Sequence, residues 1–379
     1  MYFRLNPECY LILGEHSSVI YDLIEGDVHS LNEYETQLIR NCENNVELTT
    51  NEPLLDEMKE RCIGNYYTTK VFIEKLRLGS PILDYQPGQP PFIEKAFLEI
   101  NNTCKLSCGF CGSRHIRRSS GCLGCNTWQE EGTPLEEEQW KEVIDGLSDL
   151  HCDSVYFTGG DLTLKWELLQ QLLEYAQKKF SQTFVSINSR RFSAEVADYL
   201  EGKALPIIQV DNPAHIGTDH QFLLVTDERE EFLKQIRSSK NLTIDRLVRD
   251  ASELSPDSRL ISKSKIQKTN LFRFTHMKKK HPCLANSLTV SWRGEVLPCP
   301  MLRRYSLGSV KEQPLYELLR KNSEGFDKFW GMCLEKIPRC TACEFRYACN
   351  DCRALEESLT GDLNGKALCR YDVSNGIWV

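Results

Sequence analysis

The sequence predicts an α/β protein. It has an open sheet or barrel of parallel strands in the middle of the chain, a small α+β unit before it and a cysteine-rich segment after it. Three observations predict this. Strand-like and helix-like stretches alternate through residues 89–280, and repeated β–α units set their strands parallel. Residues 1–88 carry short apolar runs, a turn signal and then a helical pattern. From residue 281 the chain becomes rich in turns and cysteines, a composition that can fold around metal rather than around a large apolar core. At 379 residues the chain is too long for one small core.

In the first unit, Tyr10–Gly14 and Ser18–Leu23 read as strands, and Gly26-Asp27 between Ile24 and Val28 can close a hairpin. Asn32 can cap a helix containing Leu38 and Ile39, and Asn44-Asn45 can end it. Met58–Cys62 and Val71–Leu76 read as further helical or strand pieces, and the Pro- and Gly-rich run Gly79–Pro91 as a linker. In the middle unit, Ala96–Ile100 is a strand that leads into a first group of cysteines. Thr133 and Pro134 are a cap and first position for a helix carrying Trp140, Val143, Ile144 and Leu147. Strand Ser154–Thr158 runs into Gly159-Gly160-Asp161, and a helix with Leu168, Leu169, Leu172 and Leu173 on one face follows. Thr183–Ile187 is a strand, Ala194–Leu200 a helix, and Pro206–Val210 and Phe222–Thr226 are strands. In folds of this kind the active site lies at the C-terminal ends of the strands. The first cysteine group, Gly-Gly-Asp and Asn188-Ser189 all follow strands and would converge on one rim. The last unit shows one helical pattern, around Leu315–Leu319.

Lys plus Arg number 46 against 54 Asp plus Glu, a formal charge of −8. That balance argues against a dedicated nucleic-acid binder. No apolar run is long enough to cross a bilayer, and the N-terminus lacks the features of a signal peptide. The expectation is a cytoplasmic protein with neither nucleic acid nor membrane as partner. In a reducing cytoplasm, clustered cysteines are more often metal ligands than disulfides. Seventeen are present. Cys9, Cys42, Cys62 and Cys152 stand alone and read as small buried hydrophobes. Five fall between Cys104 and Cys125 and eight between Cys283 and Cys369.

The decisive stretch is Cys104-Lys105-Leu106-Ser107-Cys108-Gly109-Phe110-Cys111, a C-x3-C-x2-C spacing. Three thiolates can hold three irons of a [4Fe–4S] cube and leave the fourth iron free to chelate a small molecule. Structural zinc prefers four protein ligands from paired C-x2-C units and fits this spacing poorly.

This stretch resembles the radical S-adenosylmethionine superfamily, in its cysteine spacing, in the aromatic Phe110 before the third cysteine and in Gly-Gly-Asp after the next strand. The resemblance implies a partial (β/α)6 TIM-like barrel for residues 89–280. Cys104, Cys108 and Cys111 would ligate the cluster that cleaves S-adenosylmethionine to methionine and a 5′-deoxyadenosyl radical. Gly159, Gly160 and Asp161 would receive the methionine amino group, the backbone around Phe110 would contact adenine, and Ser186 and Asn188 would reach ribose and methionine. Asp211 is a further candidate for that pocket. Taken alone, Gly-Gly-Asp reads as an ordinary turn, and Ser186 and Asn188 as a capped loop.

The later cysteines resemble the SPASM extension of radical enzymes that act on peptides. Cys283, ten residues, Gly294, four residues and Cys299 are followed by Cys340-x2-Cys343-x5-Cys349-x2-Cys352 and by Cys369. The last internal gap is two residues, where the usual pattern has three. The resemblance implies two auxiliary [4Fe–4S] clusters, one on Cys340, Cys343, Cys349 and Cys369 and the other on Cys283, Cys299 and Cys352. The fourth position of the second would be Cys333 or an iron open to substrate. Zinc knuckles are the competing reading of these C-x2-C pairs. Cys122 and Cys125 lie in an insertion. They could be half of a metal site, a redox loop, the completion of the open auxiliary site or an inert turn.

The first unit resembles the small winged-helix-like domain that binds leader peptides as an added strand. The likeness is carried by Ile24-Glu25-Gly26-Asp27-Val28-His29-Ser30-Leu31; a cap on the barrel is the plainer reading. Together the resemblances imply a maturase of ribosomally made peptides. It would install a carbon–sulfur or carbon–carbon crosslink in a precursor peptide with a leader, and be supplied by an electron donor such as flavodoxin or ferredoxin. The layout also resembles maturases that work beside ATP-grasp enzymes. The rivals are an enzyme like the anaerobic sulfatase maturases, oxidising a Cys or Ser, and a non-enzymatic zinc protein.

Overall fold

The computed structural model describes residues 1–79, 92–111, 117–227, 241–249, 261, 263 and 266–379. The expected linker Gly79–Pro91 lies, apart from Gly79, outside them.

The first unit contains β1 (Tyr2–Leu5), β2 (Cys9–Leu13), β3 (Ser18–Asp22), β4 (Val28–Leu31) and β5 (Gly64–Tyr67), with α1 (Glu33–Glu43) and α2 (Pro53–Glu60). β2, β3 and β4 form one antiparallel sheet and β1 pairs with β5. Asn32 starts α1 as expected. Its side chain accepts the Glu35 N–H at 2.9 Å, and the Glu35 carboxylate accepts the Asn32 N–H at 2.8 Å, a reciprocal cap. Asn45 ends the helix with φ 56°, a conformation asparagine tolerates. Phe3, Leu5, Ile20, Ile39, Leu55 and Met58 pack as its core.

Two expectations fail here. Val71–Leu76 forms neither helix nor strand, because other segments take its polar groups. Leu76 N–H donates to the Pro7 carbonyl at 2.9 Å, and Lys75 Nζ donates to the carbonyls of Leu5, Asn6 and Cys9. Cys9, Cys42 and Cys152 are buried, but Cys62 is exposed at φ 58°, in the turn that ends α2.

The central sheet comprises β6 (Lys95–Asn101), β7 (Arg117–Arg118), β8 (Ser154–Gly159), β9 (Gln182–Asn188), β10 (Leu205–Val210), β11 (Gln221–Thr226), β12 (Leu242–Val248), β13 (Ser287–Val290) and β14 (Val296–Leu297). Its order is β14-β13-β6-β8-β9-β10-β11-β12-β7. The run β6-β8-β9-β10-β11-β12 is parallel with neighbours in chain order. This is the partial six-stranded barrel that the sequence predicted. α3 (Glu137–Asp149), α4 (Trp166–Ala176) and α5 (Ala194–Leu200) pack Trp140, Ile144, Leu169, Leu173 and Leu200 against it.

α3 begins three residues later than Thr133-Pro134 suggested. The Leu135 N–H is drawn away to the Trp292 carbonyl at 2.9 Å, and Glu136 forms the cap with Gln139. The cysteine-rich segment also departs from expectation. Its strand β13 extends the barrel sheet beside β6, across the 280/281 boundary. Helices Leu315–Lys321, Ser323–Trp330 and Arg353–Thr360 are formed, and Phe326, Phe329 and Trp330 join the barrel core.

The N-terminal sheet packs on the cysteine-rich segment and so is no simple cap on the barrel. Ile12, Val19 and Tyr21 meet Phe274, Phe345, Tyr347 and Tyr371. Tyr21 Oη donates to the Glu344 carbonyl at 2.9 Å, and the Thr269 N–H to the Gly26 carbonyl at 2.8 Å. Among the described residues no helix is long and apolar enough to cross a membrane.

Candidate functional site

β6 ends at Asn101 and the chain leaves the rim as the cysteine loop. That loop is stitched to the end of β8. The Gly160 N–H donates to the Asn101 carbonyl at 3.0 Å, the Asp161 N–H to the Thr103 carbonyl at 2.8 Å, and Asn101 Nδ2 to the Asp161 carbonyl at 2.9 Å. Gly159 takes φ +123°, and a Cβ on Gly159 or Gly160 would collide with the Asn101 or Thr103 carbonyl. Only glycine lets the two segments come this close.

Cys104, Cys108 and Cys111 line one cavity with Asp161, Asn188 and Gln209. Cys104 Sγ accepts the Leu106 N–H at 3.3 Å, and Asn188 Nδ2 points at Cys108 Sγ from 3.9 Å. Cys111 Sγ lies 3.4 Å from Asn126 Oδ1 and 3.3 Å from Thr127 Oγ1. Burial first, and then neighbouring thiolates among other charges, push the Cys104 and Cys108 thiols up. Thiolates that oppose each other's ionisation fit a cationic centre held between them, since metal binding takes the deprotonated ligand.

The other expected cofactor contacts divide. Asp161 lines the cavity, but Oδ1 accepts from the Thr163 N–H at 3.1 Å and from its hydroxyl at 2.6 Å, and Oδ2 lies 2.9 Å from Arg191 Nε. Ser186 is committed elsewhere, donating to the Leu123 carbonyl at 2.8 Å. Asp211 pairs with Arg190 and is not among the residues lining the cavity. Phe110 is buried beneath the Arg118 guanidinium, 5.2 Å from its ring centroid.

The insertion carrying Cys122 and Cys125 plugs the barrel. Thr158 Oγ1 donates to the Gly124 carbonyl at 2.9 Å, and the Asn126 N–H to the Gly159 carbonyl at 2.6 Å. Arg118 donates to Asp245 at 2.6 Å, to Gln209 Oε1 at 2.7 Å and to the Cys125 carbonyl at 2.9 Å. Burial alone would lower the Arg118 pKa; Asp245 outweighs it and holds the guanidinium charged. Cys125 faces the cavity of the first three thiols.

Cys283, Cys299 and Cys352 line a second cavity, on the side of Lys95 and Tyr156. Cys340, Cys343, Cys349 and Cys369 gather where short bridges tie Ile266 to Cys349 and Ile261 to Cys369. The ammonium of Lys366 faces Cys340 and Cys349 there. Cys333 is buried at the start of the turn Leu334–Lys336 and is not among the residues lining the second cavity. Among the described residues no three His, Cys, Asp or Glu side chains converge as they would on one ion.

A third cavity opens between the barrel mouth and the C-terminal segment, lined by Phe110, Arg118, Trp128, Glu130, Arg303 and Glu357. Arg303 reaches into the barrel to Glu99 at 2.7 Å and Glu130 at 2.6 Å, with its guanidinium 4.7 Å from the Trp128 ring centroid. Sequence reasoning missed Arg303, Gln209 and the Arg118–Asp245 pair. Glu99 and Asp245, single acids inside otherwise apolar strands, were the signals that could have led to them.

Residues 98–251 match the family model described as the radical SAM superfamily, and residues 282–353 match an iron–sulfur cluster-binding domain named SPASM. Together the matches span more than half of the chain. No curated protein matches. Similar solved structures include Streptococcus suis SuiB bound to S-adenosylmethionine, at 12% identity over 94% of this chain and 97% of that one, with a TM-score of 0.46. SuiB bound to precursor peptide SuiA gives 12% identity over the same shares, with a TM-score of 0.45. The enzyme anSMEcpe with bound AdoMet gives 15% identity over 71% of this chain and 92% of that one, with a TM-score of 0.48.

Proposed function

The chain belongs to the radical S-adenosylmethionine superfamily and is an enzyme carrying a SPASM iron–sulfur domain, and from that premise we propose that it crosslinks a ribosomally made precursor peptide. Its cofactors are S-adenosylmethionine and [4Fe–4S] clusters, which when bound supply a 5′-deoxyadenosyl radical able to take hydrogen from an unactivated carbon. We assign Cys104, Cys108 and Cys111 to the cluster that binds S-adenosylmethionine, leaving one iron free for it. Gly160, Asp161 and Asn188, which line the same cavity, are our candidates for the methionine end.

The observation that carries the peptide reading is the third cavity. Its walls come from the barrel and the C-terminal segment together, and they pair aromatic faces with both signs of charge. This suits a chain of mixed side chains. β4 is an outer strand of its sheet, and an edge of this kind can accept an added strand. We take residues 1–88 as the leader-binding unit, 89–280 as the radical-forming barrel and 281–379 as the auxiliary-cluster unit. Arg118 and Arg303 hold their acids fixed around the cavity, and the plug keeps water from reaching the barrel interior.

The test is anaerobic reconstitution, addition of dithionite and S-adenosylmethionine, and measurement of 5′-deoxyadenosine, then incubation with a precursor peptide and mass spectrometry. A product lighter by two hydrogens per turnover supports a crosslink. Cofactor cleavage without any change in mass sinks it, and a product carrying an aldehyde in place of a Cys or Ser side chain favours the sulfatase-maturase alternative. Replacing Cys104, Cys108 and Cys111 with Ala is expected to abolish cleavage and remove about four of roughly twelve irons; surviving cleavage refutes that ligand set.

A further inference from the structure

Cys283, Cys299 and Cys352 share their cavity with a fourth thiol, and it comes from the barrel. Cys122 lines the same walls, beside Lys95, Tyr156 and Asp351. The four are close enough to act on one another: Cys283 and Cys352 oppose ionisation of Cys122, and Cys122, Cys283 and Cys352 oppose that of Cys299. Cys122 is also held firmly. It sits in the one-turn helix Gly121–Leu123, whose Leu123 carbonyl receives Ser186 and whose preceding Ser120 N–H donates to buried Asp245 at 2.8 Å. Three barrel strands, β8, β9 and β12, therefore fix the loop that presents this sulfur, through Thr158, Ser186 and Asp245.

We propose that Cys122 is the fourth thiolate of the auxiliary [4Fe–4S] cluster held by Cys283, Cys299 and Cys352. The inference rests on the iron–sulfur reading above. As the Fe–S bond forms, Cys122 releases its thiol proton to solvent and no redox change is involved. Four thiolates occupy all four irons, so this cluster offers no open iron to substrate and acts as an electron carrier. The segment Cys122-Leu123-Gly124-Cys125 then joins two cluster sites, with Cys122 in one cavity and Cys125 in the other. The C-x2-C pair is neither a zinc half-site nor an inert turn.

The test uses the full chain in a Cys104→Ala/Cys108→Ala/Cys111→Ala background, where only auxiliary clusters report, at about eight irons. Cys122→Ala is expected to lose up to half of that iron, or to show a three-iron signal in the oxidised state by electron paramagnetic resonance. Cys125→Ala and Cys333→Ala should keep the parent count and spectrum. Added 2-mercaptoethanol should leave the reduced parent spectrum unchanged and shift that of any iron-retaining Cys122→Ala protein. A Cys122→Ala protein with the parent count and spectrum, or a Cys333→Ala protein that reproduces the loss, overturns the assignment. If Cys122→Ala takes up no iron at all, Cys122→Ser decides: a shifted spectrum supports ligation and a parent-like one refutes it. None of these readouts needs peptide or cofactor cleavage, so failure to modify any peptide would remove the proposed function and leave this ligand assignment standing.

Discussion

Replacing Asp245 tests whether the plug is held by charge. Asp245 accepts from Arg118 Nε at 2.6 Å and from the Ser120 N–H at 2.8 Å, and the two side chains of the ion pair are 0% and 1% exposed. Asp245→Ala leaves a buried guanidinium with two neutral acceptors, Gln209 Oε1 and the Cys125 carbonyl. Breaking a buried pair in this way costs about 3–5 kcal/mol. Asp245→Asn keeps one acceptor oxygen and should fall near the lower end. Removing both charges in Asp245→Leu/Arg118→Met avoids the stranded cation. It still leaves Gln209 and the Cys125 carbonyl without their donor, at about 1–3 kcal/mol each when buried, so it should recover part of the loss. Denaturant midpoints of the reconstituted chain, measured anaerobically, give the ordering. The first cluster's paramagnetic signal should move as well, because Asn126 and Thr127 beside Cys111 hang from the same plug. A loss below about 1 kcal/mol for Asp245→Ala, against the range expected for a buried pair, or a double variant no better than the single one, would show that charge does not hold the plug.

Gly160→Ala drives a methyl group into the Thr103 carbonyl. It is expected to cost the first cluster its iron, about four of the total, while the auxiliary clusters survive; an unchanged iron count with full cofactor cleavage would contradict this. His29, half-buried in β4, has its pKa lowered by burial and then by Arg61. The unfolded chain therefore takes up the proton first as pH falls below about 6.5, so the N-terminal unit loses stability from there down to the lowered folded value. His29→Gln should flatten that acid-side decline in hydrogen-exchange protection of β3 and β4, and an unaltered slope would refute the attribution.

The barrel was legible because its strands are short apolar runs followed by amphipathic helices, and that period survives in any tertiary context. The cysteine loop was legible for a different reason: spacing alone carries the ligand pattern. Contacts that depend on which strand lies beside which were not legible. Ser186 ends a strand as expected, yet its hydroxyl serves the plug, because an insertion some sixty residues earlier in the chain folds back beneath it. β13 was hidden because residues 281 onward read as turns and cysteines, and its only claim to being a strand is the free edge of β6. Thr133-Pro134 carries a sound local start signal, but a long-range hydrogen bond to Trp292 overrides it.

Arg303 shows how the C-terminal segment completes the barrel. Glu99 points inward from β6 and is fully buried, and burial raises its pKa in spite of the guanidinium 2.7 Å away. Burial works against Glu130 too, but there Arg303 prevails and holds the carboxyl below its usual range. One arginine thus keeps two acids in place at the cavity wall. Arg303→Ala leaves both carboxylates facing each other, and the fold can relieve this only by keeping Glu99 protonated. A raised folded pKa means that the folded chain holds the proton longer than the unfolded one. Stability is then present at low pH and falls as pH rises from about 4.3 through the raised value. The variant should accordingly lose about 3–5 kcal/mol at pH 8 and less at pH 6, and Glu99→Gln/Arg303→Ala should recover part of the loss at pH 8 and level the slope. Midpoints that are equal at the two pH values, or a double variant as unstable as the single one, would place the role of Arg303 in its stacking on Trp128 instead of in its charge.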